Sequence, residues 1–181
     1  MQIQNQFDIP VPPAAAWEIL MNVPETAACF PGASHITQTA PDEYQGRVTV
    51  KLGPIAMVFA GDMRLENRDD AAHTAVVNAT WRETKGRGNA VTSTRFALGA
   101  EAEGTRVTLQ TELQLAGQVA QYGRGVGMLN DISAQLIATF AQNLRQRIDA
   151  TLRGMAASTP AASEISGLTL LAKALGNKLR G

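Results

Sequence analysis

The chain has 181 residues, one domain's worth with room for a tail, and its 16 Lys and Arg balance 16 Asp and Glu. A net charge of zero at a pI of about 6.7 excludes a bulk nucleic-acid binder, and 45% hydrophobic against 18% charged residues excludes an acidic disordered chain. A single cysteine, Cys29, excludes an intrachain disulfide framework and a multi-cysteine metal site, and no apolar run is long enough to span a bilayer. The opening MQIQNQFDIPVPP lacks the basic-then-apolar pattern of a secretory leader, so a soluble cytoplasmic domain is expected.

Residues 2–9 alternate, with Ile3, Asn5, Phe7 and Ile9 on one face and Gln2, Gln4, Gln6 and Asp8 on the other, which predicts a half-buried strand. Pro10, Pro12 and Pro13 stop it and lead into a helix, AAAWEILMN, with Trp17, Leu20 and Met21 on one side. Pro24 is expected to end that helix, and ETAACF to form a second short one closed by Pro31 and Gly32. Six strands then follow at 34–39, 44–53, 55–66, 73–83, 90–100 and 105–116, separated by Pro, Asp and Gly turns, the spacing of an antiparallel sheet. Met57, Phe59, Met63 and Leu65 share one face, as do Val77, Ala79 and Trp81. Thr92, Thr94, Phe96 and Leu98 make a mixed face, and Val107, Leu109, Thr111, Leu113 and Leu115 a more apolar one. The other faces carry Asp62, Arg64, Glu66, Arg82, Arg95, Gln110, Glu112 and Gln114, which belong in water.

After Gly117 the period changes to 3.6. Leu129, Ile132, Leu136, Phe140, Leu144 and Ile148 predict a long amphipathic helix over about 121–153, lying across the concave face of the sheet. Residues 155–163 read as a linker and 164–181 as a separate amphipathic helix, which leaves 1–154 as the folded domain. Strands in one run with helices at the ends give an α+β class: a curved seven-stranded antiparallel sheet around a long C-terminal helix, with two short helices after the first strand. One helix does not fill such a concavity when the inward residues stay small, so an apolar cavity between sheet and helix is expected.

The order of motifs carries a resemblance. Val23 to Ala33 (VPETAACFPGA) with Pro41 to Tyr44 (PDEY), Val48 to Ile55 (VTVKLGPI), Phe59 to Gly61 and Gly104 to Thr108 (GTRVT) appear in succession. Gly117 to Gly125 (GQVAQYGRG) then leads into Phe140 to Leu144 (FAQNL). Over about residues 1–150 this resembles the carbon monoxide dehydrogenase G-subunit family, of the START-like (Bet v 1-like) helix-grip superfamily. The resemblance implies a helix-grip fold and a hydrophobic cavity suited to a quinone or lipid, with no tightly bound cofactor. It also implies partnership with subunits of a carbon monoxide dehydrogenase-type molybdenum hydroxylase, in maturation or in recruitment to the inner face of the cytoplasmic membrane.

The large inward side chains Met57, Phe59, Met63, Trp81, Phe96, Met128, Ile132, Leu136 and Phe140 read either as a filled core or as the wall of that cavity. Leu109 and Leu113 extend the wall, and Thr92, Thr94 and Thr111 are the candidate polar anchors. Gly123-Arg124-Gly125 is the candidate mouth, where Arg124 would meet a polar head group. The glycines of 123–127 imitate a phosphate loop, but no parallel strand follows to complete a dinucleotide unit. Cys29 lies six residues from His35 and so suggests a nucleophile pair; a small apolar helix residue and a solvated strand-end histidine is the plainer account. No catalytic residue is assigned, and no spacing motif supports a metal site from His35 and His73.

In the tail, Ile165, Leu168, Leu171, Leu175 and Leu179 fall on one helical arc, with Lys173, Lys178 and Arg180 outside it. Such a helix lies on a membrane or docks into a groove. Residues 165–181 carry +3, leaving 13 basic against 16 acidic groups in the first 164 residues, so the zero net charge is an acidic body with a basic tail. Three functions follow: a non-enzymatic hydrophobic-ligand-binding accessory protein, a cyclase- or hydrolase-like enzyme using the same cavity, or a purely structural assembly factor.

Overall fold

The computed structural model describes residues 1–52, 54–124 and 126–153; the expected linker, the tail helix and Gly125 lie outside them. Strand β1 (Gln2–Ile9) is followed by helices α1 (Pro13–Met21) and α2 (Val23–Ala28), then by β2 (Ala33–Ala40), β3 (Glu43–Leu52), β4 (Ile55–Asp69), β5 (Thr74–Glu83), β6 (Gly88–Glu101) and β7 (Gly104–Gly117). A 3-10 helix (Gln118–Arg124) leads into α3 (Val126–Leu152). The seven strands form one antiparallel sheet in the order β1-β7-β6-β5-β4-β3-β2, so every strand pairs with its neighbour in sequence except β1, which closes onto β7. This is the helix-grip architecture that the order of segments predicts.

Strands β4 and β6 run a few residues longer than expected, and two helix boundaries differ in kind. Pro24 sits in the first turn of α2 and starts that helix, because a first-turn proline lacks only an N–H that has no helical partner. Residues 121–124 belong to the 3-10 helix, not to α3. Val119 is buried there at 2% exposure, and its N–H donates to the Arg87 carbonyl at 3.1 Å. That contact pins the segment to the β5–β6 turn, and the glycines that follow favour the α conformation weakly.

The core gathers at one end of the sheet. Ile9, Val11, Trp17, Val107, Leu144 and Ile148 are among its buried members, and Phe7 meets Phe140 edge to face at 5.4 Å between ring centroids. Trp17 is anchored by its indole N–H, which donates to Asp70 at 2.8 Å, and its ring lies 5.5 Å from His73. The Arg68 guanidinium, with that indole, holds the Asp70 carboxyl below its ordinary range.

Helix α3 divides in two. Over its C-terminal half Phe140, Ala141, Leu144 and Ile148 are buried, whereas Leu129, Ile132, Ser133, Leu136 and Ile137 over its N-terminal half remain half-exposed. One apolar stripe thus packs tightly at one end and stands off the sheet at the other. The close backbone approach of α3 to the sheet is at β1, the edge opposite β2 and β3.

Candidate functional site

The gap beneath the N-terminal half of α3 is a cavity of about 500 Å³, within the range of ~300–1,000 Å³ that holds small ligands. Its floor is the inner face of the sheet from β1 to β2, its roof is α3, and α2 with Phe30 closes one side. Helix α2 has no fully buried residue. It is held to the packed half of α3 by the Glu25–Arg147 ion pair and by Asn143, whose amide donates to the Cys29 carbonyl at 2.9 Å.

The floor is thinned by a pair of glycines. Gly46 and Gly61 are cross-strand partners on β3 and β4. A Cβ on Gly61 would sit 2.6 Å from Trp81 Cε3, and one on Gly46 would collide with Ile36 Cδ1. The Trp81 ring and the Ile36 side chain therefore lie over bare backbone, and the cavity keeps depth that any larger residue would take.

Twelve of the fourteen expected wall residues border this space: Phe59, Met63, Trp81, Thr92, Thr94, Phe96, Leu109, Thr111, Leu113, Ile132, Leu136 and Phe140. Two do not. Met57 is enclosed by protein at 1% exposure on a stretch of the β3–β4 hairpin that runs past the last β4–β5 pair, Phe59 with Glu83. Met128 faces outward at 41% exposure, because the inward stripe of α3 runs through Leu129, the next residue. Of the expected mouth, Gly123 lies against the wall, where a Cβ would be 3.4 Å from Leu115 Cδ1. Arg124 is exposed and does not border the cavity; the neighbouring Tyr122 does.

The polar groups of the wall are few and pair with one another. Thr94 and Thr111 share a hydrogen bond of 2.9 Å, and the Trp81 indole N–H donates to Thr92 Oγ1 at 3.4 Å. Asn5 Nδ2 donates to Ser133 Oγ at 2.7 Å, joining β1 to α3. These bonds leave hydroxyl protons of Thr92 and of one member of the Thr94–Thr111 pair to be donated into the space. Among the described residues no carboxylate, imidazole, ammonium, guanidinium or thiol lines it, and Tyr122 is its one titratable group.

The sequence singled out neither the Asn5–Ser133 bridge nor Tyr122 as site features. Asn5 was visible as the polar member of an apolar face; Ser133 falls on the inner helical stripe, and nothing in the local pattern marks Tyr122. The suggested Cys29–His35 pair is not formed. Cys29 is 4% exposed, with burial pushing its thiol pKa up, while His35 is exposed at a positive φ of 54°. Among the described residues no group of three His, Cys, Asp or Glu is placed to hold a metal ion.

The β5–β6 turn beside the cavity is built on a carboxylate with no exposed side-chain surface. Glu83 accepts the Arg87 guanidinium at 2.8 Å on Oε1, and the N–H groups of Lys85 and Arg87 on Oε2 at 2.8 and 3.2 Å. The Arg87 guanidinium, helped by those N–H groups against desolvation, holds the Glu83 pKa down to about 2. A carboxyl depressed on folding stabilises the native state above its unfolded pKa of about 4.3 and loses that contribution as pH falls through about 2. Glu83→Gln is expected to lower the urea midpoint at pH 7, with the difference from the parent chain shrinking between pH 4 and pH 2. A difference independent of pH would refute the account.

A model of the family of the carbon monoxide dehydrogenase G subunit, CoxG, matches residues 6–149. No curated protein matches significantly. Among solved structures, a conserved protein from Geobacillus kaustophilus has 15% identity and a TM-score of 0.73 over 83% of this chain and 97% of that one. TTHA0849 from Thermus thermophilus has 13% identity and a TM-score of 0.60 over 83% and 98%. The Zhui aromatase/cyclase from Streptomyces sp. R1128 has 16% identity and a TM-score of 0.59 over 86% and 98%. At such identities the likeness is one of fold.

Proposed function

The chain belongs to the carbon monoxide dehydrogenase G-subunit (CoxG) family, and from that premise we propose that it is a non-enzymatic accessory protein that binds a quinone or lipid for a carbon monoxide dehydrogenase-type molybdenum hydroxylase at the cytoplasmic face of the membrane. Family and fold together support a ligand-binding or accessory role.

The observation that carries the proposal is the chemistry of the cavity wall. It is apolar, it holds no formal charge among the described residues, and its threonine hydroxyls offer donors. That combination fits a neutral molecule with a long hydrocarbon part and carbonyl or ester acceptors. A charged ligand would leave its ion unpaired in a low-dielectric space. An enzyme in the same cavity would have, among the described residues, Tyr122 as its single titratable wall group, short of the acid–base pair that cyclisation or hydrolysis uses.

Solvent extraction of protein purified gently from its native host, followed by mass spectrometry, tests the ligand. A quinone or lipid at near one per chain is expected; an extract free of both would overturn the proposal.

Among the described residues no helix is long and apolar enough to cross a membrane. Recruitment is assigned to the basic amphipathic segment 164–181, read from sequence alone. A chain ending at residue 163 is expected to stay in the supernatant when the full chain sediments with vesicles containing anionic lipid. Equal sedimentation of the two would remove the tail from the account.

A further inference from the structure

We propose that the end of the folded body beyond the cavity, opposite the packed core, is itself a docking face for an anionic phospholipid bilayer. This rests on the membrane reading above and adds which surface of the domain makes contact.

Antiparallel pairing brings three segments to one end of the sheet: the tip of the β3–β4 hairpin, the β5–β6 turn, and the 3-10 helix with the start of α3. The tip of the β3–β4 hairpin projects past the end of β5, since the last β4–β5 pair is Phe59 with Glu83. The core packs at the far end, and the cavity lies between that core and these loops.

Charge divides along the same axis, and three exposed apolar side chains lie toward the cavity end, with Leu152, at 40%, at the core end. Residues 51–56, 83–88 and 117–128 contain Lys51, Lys85, Arg87 and Arg124 and one acid, Glu83. Glu83 is taken up internally by Arg87, while Lys51, Lys85 and Arg124 are exposed. The opposite end carries Asp8, Glu25, Asp42, Asp69, Asp70, Glu101, Glu103 and Asp149 against Arg68, Arg106, Arg145, Arg147 and Arg153, which leaves acid in excess. Ile55, at 38% exposure, sits on the projecting hairpin tip, and Met128, at 41%, in the first turn of α3. Val91, at 44%, lies three residues into β6 from the same end.

An anionic surface attracts the basic end and repels the acidic one, so the domain arrives with its basic end first. The exposed apolar side chains then enter the headgroup region, and an apolar ligand passes between bilayer and cavity without crossing bulk water. A soluble partner with an acidic patch would satisfy the charges but has no use for isolated exposed apolar side chains on separate elements.

The test uses the full chain carrying Ile55→Cys labelled with an environment-sensitive fluorophore. The native thiol, Cys29, is buried with its pKa raised and stays unlabelled. Glu103→Cys, at the acidic end, carries the same label as a control. With phosphatidylcholine vesicles containing 30% phosphatidylglycerol, emission from position 55 is expected to rise several-fold and to be quenched by spin-labelled lipid, while position 103 stays unchanged. In the unlabelled full chain, the triple variant Lys51→Glu, Lys85→Glu, Arg124→Glu is expected to partition about 100-fold more weakly, about fivefold for each basic side chain lost, with an unchanged melting temperature. If the chain sediments with vesicles while the label at 55 reports only water, the docking face is refuted and tail-mediated binding stands. If the full chain does not sediment at all, both fall together.

Discussion

Leu144→Ala is expected to cost about 3 kcal/mol, within the range of ~2–5 kcal/mol for a fully buried leucine, and to lower the melting temperature by about 10 °C. Leu144 is 2% exposed, in the half of α3 that interlocks with Ile9, Val11 and Val107. Truncation there opens a void that close-packed neighbours cannot collapse into. Ile132→Ala, three turns earlier on the same stripe, is expected to cost under about 1 kcal/mol, because its side chain already borders empty space and loses few contacts. Thermal unfolding followed by circular dichroism measures both. Equal losses would mean that the space below Ile132 is filled in solution.

Ala79→Leu is expected to weaken ligand binding at least tenfold without loss of stability. Ala79 lies on the cavity floor opposite Thr92 on β6, and three added carbons would project into the space, not into neighbours. Decylubiquinone serves as the probe, read by quenching of Trp81 fluorescence in a Trp17→Phe background. Affinity is expected to fall at least tenfold, with the melting temperature unchanged or raised. Ala75→Leu provides the contrast. Ala75 is 1% exposed, pairs with Phe96 and does not border the cavity, so enlarging it overpacks the core at a cost of about 1–3 kcal/mol. If leucine at 79 destabilises as much as at 75, the floor has no room for a ligand.

The seven strands and the alternation of their faces were legible because a two-residue period and its turn residues are local signals. Phe59, Trp81 and Leu109 point inward for that reason. What the helix stripe does was not legible. Leu129 to Ile148 repeat with one period throughout, yet half of them pack and half roof a void, and only the position of α3 over β1 decides which. Met57 and Met128 failed on the same ground: parity and periodicity give a face, not what lies against it. The Asn5–Ser133 bond joins residues 128 positions apart, a pairing that no local pattern encodes. Tyr122 reaches the cavity through a 3-10 segment fixed by a contact between Val119 and Arg87, which likewise exists only in the folded chain.

Among the described residues the cavity wall carries no formal charge, which has consequences for exchange. A neutral ligand of the kind proposed would form no ion pair with this wall, so none has to be broken for it to leave. Loading and unloading become a matter of partition: the molecule moves toward whichever apolar environment holds it more favourably. Direction is then set by the receiving site, and the protein need only shorten the path.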